Sequence, residues 1–196
     1  SDLEYSLIIL TEEQEGSMEF QKVIESRRSI RKYDAEKKVS EEQIREMIQA
    51  AIYAPSWKNS QTARYYCVLS QDMFEKVRTE CLPEFNANNV EGASALIVTA
   101  VVKNRSGYER SGEPTNELGN GWGVYDLGLA NENLLLKAAE MGIGTLVMGI
   151  RDEKKLHEIL SIPEEQMVVS VIGVGYGTVS PDMPKRKSVE DVAVIC

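Results

Sequence analysis

The chain has 196 residues, 42% of them hydrophobic and 27% charged. That is the composition of an ordinary globular domain and excludes wholesale disorder. A formal net charge of −9 argues against a general nucleic-acid or anionic-membrane binder, and no apolar run approaches the ~18 residues of a membrane span. Cys67, Cys81 and Cys196 show no CxxC spacing, which points to a reducing, cytoplasmic setting rather than a disulfide framework. The single histidine, His157, sits at a polar helix start and reads as a surface residue. A Ser-His-Asp or Cys-His system and an ordinary zinc site are therefore disfavoured, and no metal is expected. Any chemistry then falls to a bound cofactor.

Residues 1–17 end in Glu15-Gly16-Ser17 and read as an N-terminal arm or expression leftover, with no basic-then-apolar secretory signal. Residues 18–196 read as one domain. Phe20, Val23 and Ile24 stand at i, i+3, i+4 and predict a short helix over 19–26. Ser40 and Gln43 form a capping box, and Ile44, Met47, Ile48, Ala51 and Ile52 give the next helix its apolar stripe. Pro55 stops it. Residues 65–69 predict a strand, and Asp72 caps a helix carrying Phe74, Val77 and Cys81. Residues 95–102 are apolar at nearly every position, as a strand covered on both faces should be.

Residues 103–123 carry no periodicity, and a connection of that length is commonly a lid or binding loop. Tyr108, Trp122, Arg105 and Arg110 are its candidate substrate-facing groups. The helix predicted over 124–141 is apolar around most of its circumference, so it needs cover on every side, for which a subunit interface is one solution. Gly142 ends it. A strand at 145–148, a helix at 152–160, a strand at 167–174 and a final strand or arm at 188–196 complete a layered α+β or α/β pattern.

Four segments carry candidate chemistry. Arg27-Arg28-Ser29-Ile30-Arg31 offers forked donors to a phosphate or another planar oxyanion; the same residues also suit a solvated basic turn at a helix end. Pro55-Ser56-Trp57-Lys58-Asn59-Ser60-Gln61 places amide and hydroxyl groups beside an aromatic, suited to a heterocycle or to a plain connecting loop. In Gly142-Ile143-Gly144-Thr145 and Gly173-Val174-Gly175-Tyr176-Gly177, glycines permit close backbone approach, but neither run meets the dinucleotide-binding context. Lys185-Arg186-Lys187 is a second basic cluster that could close a phosphate clamp.

In this order and spacing the four segments resemble the FMN-dependent nitroreductase family, over about residues 18–196. The resemblance implies an α+β, three-layer α/β/α fold with a mainly antiparallel central sheet, in an intertwined homodimer with two FMN molecules at the subunit interface. It implies that Arg27, Ser29 and Arg186 hold the phosphate, with Arg28 and Lys187 nearby. Arg31 falls where the family places a cation near flavin N1 and the C2 carbonyl, and is the one residue assigned a catalytic role. Pro55, Ser56, Trp57, Asn59 and Gln61 would approach the ring from the other subunit, and Val147, Met148 and Gly149 would pass near N5. The family usually has a proline and then an aromatic after the Gln; here Gln61-Thr62-Ala63 follows, and Trp57 is bulkier than usual. Both departures bear on the shape of the substrate pocket.

The implied reaction is ping-pong: NAD(P)H delivers hydride to flavin N5 and leaves, and a nitroaromatic, quinone or similar acceptor takes the electrons. Alternatives of another class are a flavin-binding or storage protein without turnover, and, within the same fold, a reductive dehalogenase or a flavin-destroying enzyme.

Overall fold

The computed structural model describes residues 19–196, so the expectation for the N-terminal arm lies outside the described residues. Four strands, β1 (Ala63–Val68), β2 (Ala95–Val102), β3 (Gly144–Met148) and β4 (Gln166–Gly175), form one sheet in the order β1-β2-β4-β3. Every pairing is antiparallel. β2 is central, which is why its apolar run has no polar face. Ala95 and Ile97 face one core cluster while Leu96, Val98 and Ala100 face the other, the two-residue period of a strand.

One face of the sheet is covered by α2 (Glu41–Ile52) and α5 (Gly121–Glu140), which pack through Ile44, Met47, Ala51, Ala130, Leu134 and Ala138. The other face is covered by α3 (Gln71–Cys81) and α6 (Glu153–Leu160), through Phe74, Val77 and Leu156, with α4 (Glu84–Asn89) beside them. This is the expected three-layer arrangement. α1 (Phe20–Ser26) leans on α5, and a last turn of helix, α7 (Val189–Val192), lies in the tail.

The capping box of α2 is present as read: the Ser40 hydroxyl accepts from the Gln43 N–H at 3.2 Å and the Gln43 side chain accepts from the Ser40 N–H at 3.0 Å. Other expectations are corrected. Ser70, not Asp72, holds the N-cap position of α3; Asp72 lies in the first turn, where its charge suits the helix dipole. α5 begins at Gly121, three residues before Val124, so Trp122 belongs to the helix rather than the loop. Residues 188–196 make no strand. A Ser188–Asp191 capping box nucleates α7 instead, and the tail beyond it is exposed, with Val194 at 90% and Ile195 at 91%. α4 escaped the periodicity because its six residues bury only Asn86 and Ala87.

His157 is also not a surface residue. Its side chain is 14% exposed, and Nδ1 lies 2.9 Å from the Ile162 carbonyl. A carbonyl only accepts, so Nδ1 carries the proton and the ring ties the end of α6 to the turn that follows.

Candidate functional site

α1 ends at Ser26 because Arg27 leaves helical geometry, at φ −59° and ψ 127°. The Arg28 guanidinium turns back and donates to the carbonyls of Glu25 at 2.6 Å and Arg27 at 2.8 Å, satisfying carbonyls that the helix leaves open. The chain then runs extended between two partners. The Ile30 N–H donates to Thr145 at 2.9 Å, Asp34 N–H to Tyr176 at 2.9 Å, and Thr178 N–H to Lys32 at 3.1 Å. Ile30 and Tyr33 are buried and pin this segment, while Ser29 and Arg31 stay exposed.

Beside it lies a cleft of about 280 Å³, whose walls include Arg27, Arg28, Gly142, Gly144, Thr145 and Gly177. The first basic cluster and the Gly142-Ile143-Gly144-Thr145 turn therefore form one site, although 114 residues separate Arg28 from Gly142 (142 − 28). Arg28 Nε is buried here with no hydrogen-bond partner among the described residues, an orphaned donor in a cationic cleft. The residues present fit an anionic group such as a phosphate. Packing alone already requires two of the glycines. A Cβ on Gly144 would stand 2.8 Å from Ile30 Cγ1, and one on Gly175 2.8 Å from Tyr33 Cδ1. Tyr33 donates to the Ile30 carbonyl at 2.7 Å, and burial pushes its phenol pKa up.

β3 is an edge strand. Its Thr145 carbonyl faces away from β4, toward Ile30. Peptide groups on a strand repeat this direction every second residue. Val147 therefore presents its N–H and C=O on the free edge, and Gly149 is the next residue in that phase. Met148, which pairs with Val171 and is 3% exposed, faces inward. Of the three residues expected near N5, this phase leaves the peptide groups of Val147 on the free edge and turns those of Met148 toward β4.

The 55–61 loop is tightly wound. Lys58, Asn59 and Gln61 have φ of 46°, 53° and 50°, the left-handed region that costs a non-glycine residue roughly 1–2 kcal/mol. Several contacts hold it. The Gln61 N–H donates to Ser56 Oγ at 3.0 Å, and the Trp57 N–H to Asp126 at 3.0 Å. Ser60 Oγ meets Ser106 Oγ at 2.6 Å. The Trp57 ring packs on Trp122 with centroids 4.8 Å apart, and Trp57 Nε1 is buried with no partner among the described residues. Pro55, Ser56 and Gln61 line a second cleft of about 370 Å³ with Asp126, Ala130 and α2; Trp57 and Asn59 belong to the same loop.

The two clefts share no wall within one chain. The first touches α5 at Ala139, the second at Asp126 and Ala130. Nine to thirteen residues of helix separate them, about 14–20 Å along the axis. Arg186 and Lys187 are exposed on the segment after Pro184, where Arg186 donates to the Pro184 carbonyl at 2.9 Å; neither lines the first cleft. Asp126 and Ser106 were missed in the sequence. The one available signal was an acid, Asp126, set directly before the apolar Leu127 in the first turns of the helix.

Compared with known proteins, the chain matches the model of the Nitroreductase family over residues 24–97 and 71–176. It is 35% identical over 164 residues to an Archaeoglobus fulgidus protein named "Putative NADH dehydrogenase/NAD(P)H nitroreductase", covering 79% of this chain and 83% of that one. Among solved structures, a nitroreductase family protein from Clostridium novyi NT aligns with TM-score 0.71 and 27% identity, over 85% of this chain and 89% of that one. A structure from Exiguobacterium sibiricum 255-15, described as a nitroreductase in complex with FMN, shares the fold at TM-score 0.78 and 21% identity, over 92% and 98% of the two chains. Fold, cationic cleft and these relatives together define a layered α+β oxidoreductase. The chain belongs to the nitroreductase family.

Proposed function

We propose that this oxidoreductase binds FMN, takes hydride from NAD(P)H and passes the electrons to a nitroaromatic, quinone or similar acceptor. The observation that carries the reading is the Arg27–Arg28 cleft closed by Gly144 and Thr145, with the unpaired edge of β3 leading away from it. The FMN held by the Exiguobacterium relative supports the same cofactor here.

When bound, FMN supplies the hydride-accepting centre that the chain's own side chains lack. Arg27, Ser29 and Arg186 would hold the phosphate, with Arg28 and Lys187 adding positive potential; Arg186 and Lys187 would come to the cleft from the exposed segment after Pro184. Arg31 projects from the segment pinned by Ile30 and Tyr33. Its guanidinium would stabilise negative charge that develops on the N1 and C2-carbonyl side of a reduced flavin. The outward peptide groups of Val147 and Gly149 would orient the ring edge that carries N5.

The 14–20 Å gap along α5 supports a homodimer in which the 55–61 loop serves the partner's cofactor. Exposed Phe20, Tyr53, Tyr125 and the apolar tail residues Val192, Val194 and Ile195 are further reasons for a second copy, since soluble monomers seldom leave extensive apolar surface open. No described helix is long and apolar enough to cross a membrane, and three free cysteines support a reducing, cytoplasmic setting.

The test is the visible spectrum of the purified protein under anaerobic conditions, before and after NADH or NADPH, followed by a quinone. Bleaching on nicotinamide and recovery on quinone are expected. A flavin that binds but never bleaches identifies a storage protein, and light scattering of a flavin-loaded species near 21.9 kDa overturns the dimer.

A further inference from the structure

The strained 55–61 loop and the long 103–120 segment meet at one buried carboxylate. Asp126, on α5, is 6% exposed. A single oxygen, Oδ2, accepts both the Trp57 N–H at 3.0 Å and the Ser106 hydroxyl at 2.6 Å. Ser106 Oγ also meets Ser60 Oγ at 2.6 Å and Thr62 Oγ1 at 3.2 Å. Because Ser106 gives its one proton to Asp126, it accepts from Ser60 and Thr62. Donor direction is thus set through the whole cluster, from two residues beside the loop, through Ser106, to Asp126.

A carboxylate withdrawn from water needs such bonds, and the loop needs them too. Left-handed φ at Lys58, Asn59 and Gln61 persists only where the surroundings over-determine it. The loop also packs on the start of α5 through Trp57 and Trp122, and it meets the long segment again through Lys58 and Glu109 at 4.0 Å.

We propose that Asp126 is a positioning residue: its carboxylate locks the 55–61 loop to the 103–120 segment, so that one buried group sets both the presentation of Ser56 and Asn59 and the placement of the long segment. This rests on the reading that the loop faces a cofactor. Asp126 acts through Trp57 and Ser106, not on the reacting atoms.

The test compares Asp126→Ala, Asp126→Asn and Ser106→Ala in the full chain. Near-ultraviolet circular dichroism reads the Trp57–Trp122 pair, and fluorescence titration reads the FMN dissociation constant. Asp126→Ala and Ser106→Ala are expected to lose the tryptophan signal and weaken FMN about tenfold, the scale of one charge-assisted hydrogen bond. Asp126→Asn, which keeps an oxygen at the accepting position, is expected to restore both. An Asp126→Ala protein with unchanged tryptophan signal and unchanged FMN affinity overturns the proposal, as does Asp126→Asn impaired as badly as Asp126→Ala. If Asp126→Ala fails to fold, Ser106→Ala carries the same decision. A wild-type chain that binds no FMN overturns the functional reading alone, and the tryptophan signal then decides the positioning role by itself.

Discussion

The Ile30 N–H donates to the Thr145 carbonyl at 2.9 Å, and this one bond joins the arginine segment to the edge strand. It requires Ile30 to lie flat on Gly144, whose missing Cβ makes the space. Gly144→Ala should therefore push the two apart. Overpacking of this kind costs typically 1–3 kcal/mol, so the urea midpoint should fall and flavin content should fall with it. A variant with the wild-type midpoint shows that the segment can shift freely.

Arg27 lines the cationic cleft directly. Arg27→Ala should weaken FMN binding by about 1.5–3 kcal/mol, the range for hydrogen bonds to charged groups, with little change in melting temperature. Arg186→Ala should do the same only if the exposed tail folds over the cleft. Isothermal titration of FMN into the apoprotein separates the two cases.

Arg31 should matter more for reduction than for binding. A cation beside N1 stabilises the reduced, anionic flavin more than the oxidised one. Arg31→Met should thus lower the reduction potential and slow flavin reduction about tenfold or more, if the differential interaction is ~1.4 kcal/mol or greater. Dye equilibration measures the potential; an unchanged value places Arg31 elsewhere.

Cys81 is 2% exposed. Burial first, then the nearby negative charges of Asp152 and Glu80, push its thiol up to about 11. The folded value lies above that of a free thiol, about 8.5. Its contribution to stability is therefore complete below that pH and is lost as pH climbs through about 11. At pH 8 iodoacetamide should label exposed Cys196 and spare Cys81. Rapid modification of Cys81, read by peptide mass, contradicts this.

The long segment is anchored at its ends and free at its tip. Ser106 is 1% exposed, and Asn116 accepts from Trp122 Nε1 at 2.8 Å, so excising all of 106–116 would remove structural contacts. The tip turns at 109–113, where the Glu109 N–H donates to Glu113 at 2.9 Å. Replacing only residues 110–112 with a shorter turn should change the KM for quinones while leaving FMN bound. Loss of flavin with retained fold assigns the tip to the cofactor site instead.

Local order was legible in the chain because its signals are local. The Ser40–Gln43 box, the α2 stripe, the unbroken apolar run of β2 and the ordered motifs from Arg27 to Arg186 each follow from residues within a few turns of one another, or from a fixed order along the chain. The same locality explains the errors. Alternating apolar residues at 188–196 suggested a strand, but pairing needs a neighbour, and there the capping box set the backbone. Gly121 and Gly123 hid the first turn of α5, and the six residues from Asp152 to His157 say nothing of the carbonyl that His157 meets.

Only the tertiary structure decided which groups share a site. The antiparallel order β1-β2-β4-β3 puts β3 on an edge, and its register with β4 leaves the peptide groups of Val147 on the free side and turns those of Met148 toward β4. The 20-residue length of α5 separates the arginine cleft from the 55–61 loop, which no motif spacing records. Asp126, Ser106 and Trp57 converge across 69 residues of chain, because a buried carboxylate is tolerated only where folding brings it donors. Residue identity determined the chemistry each segment carries, and the long-range packing of sheet and helices determined which chemistries meet.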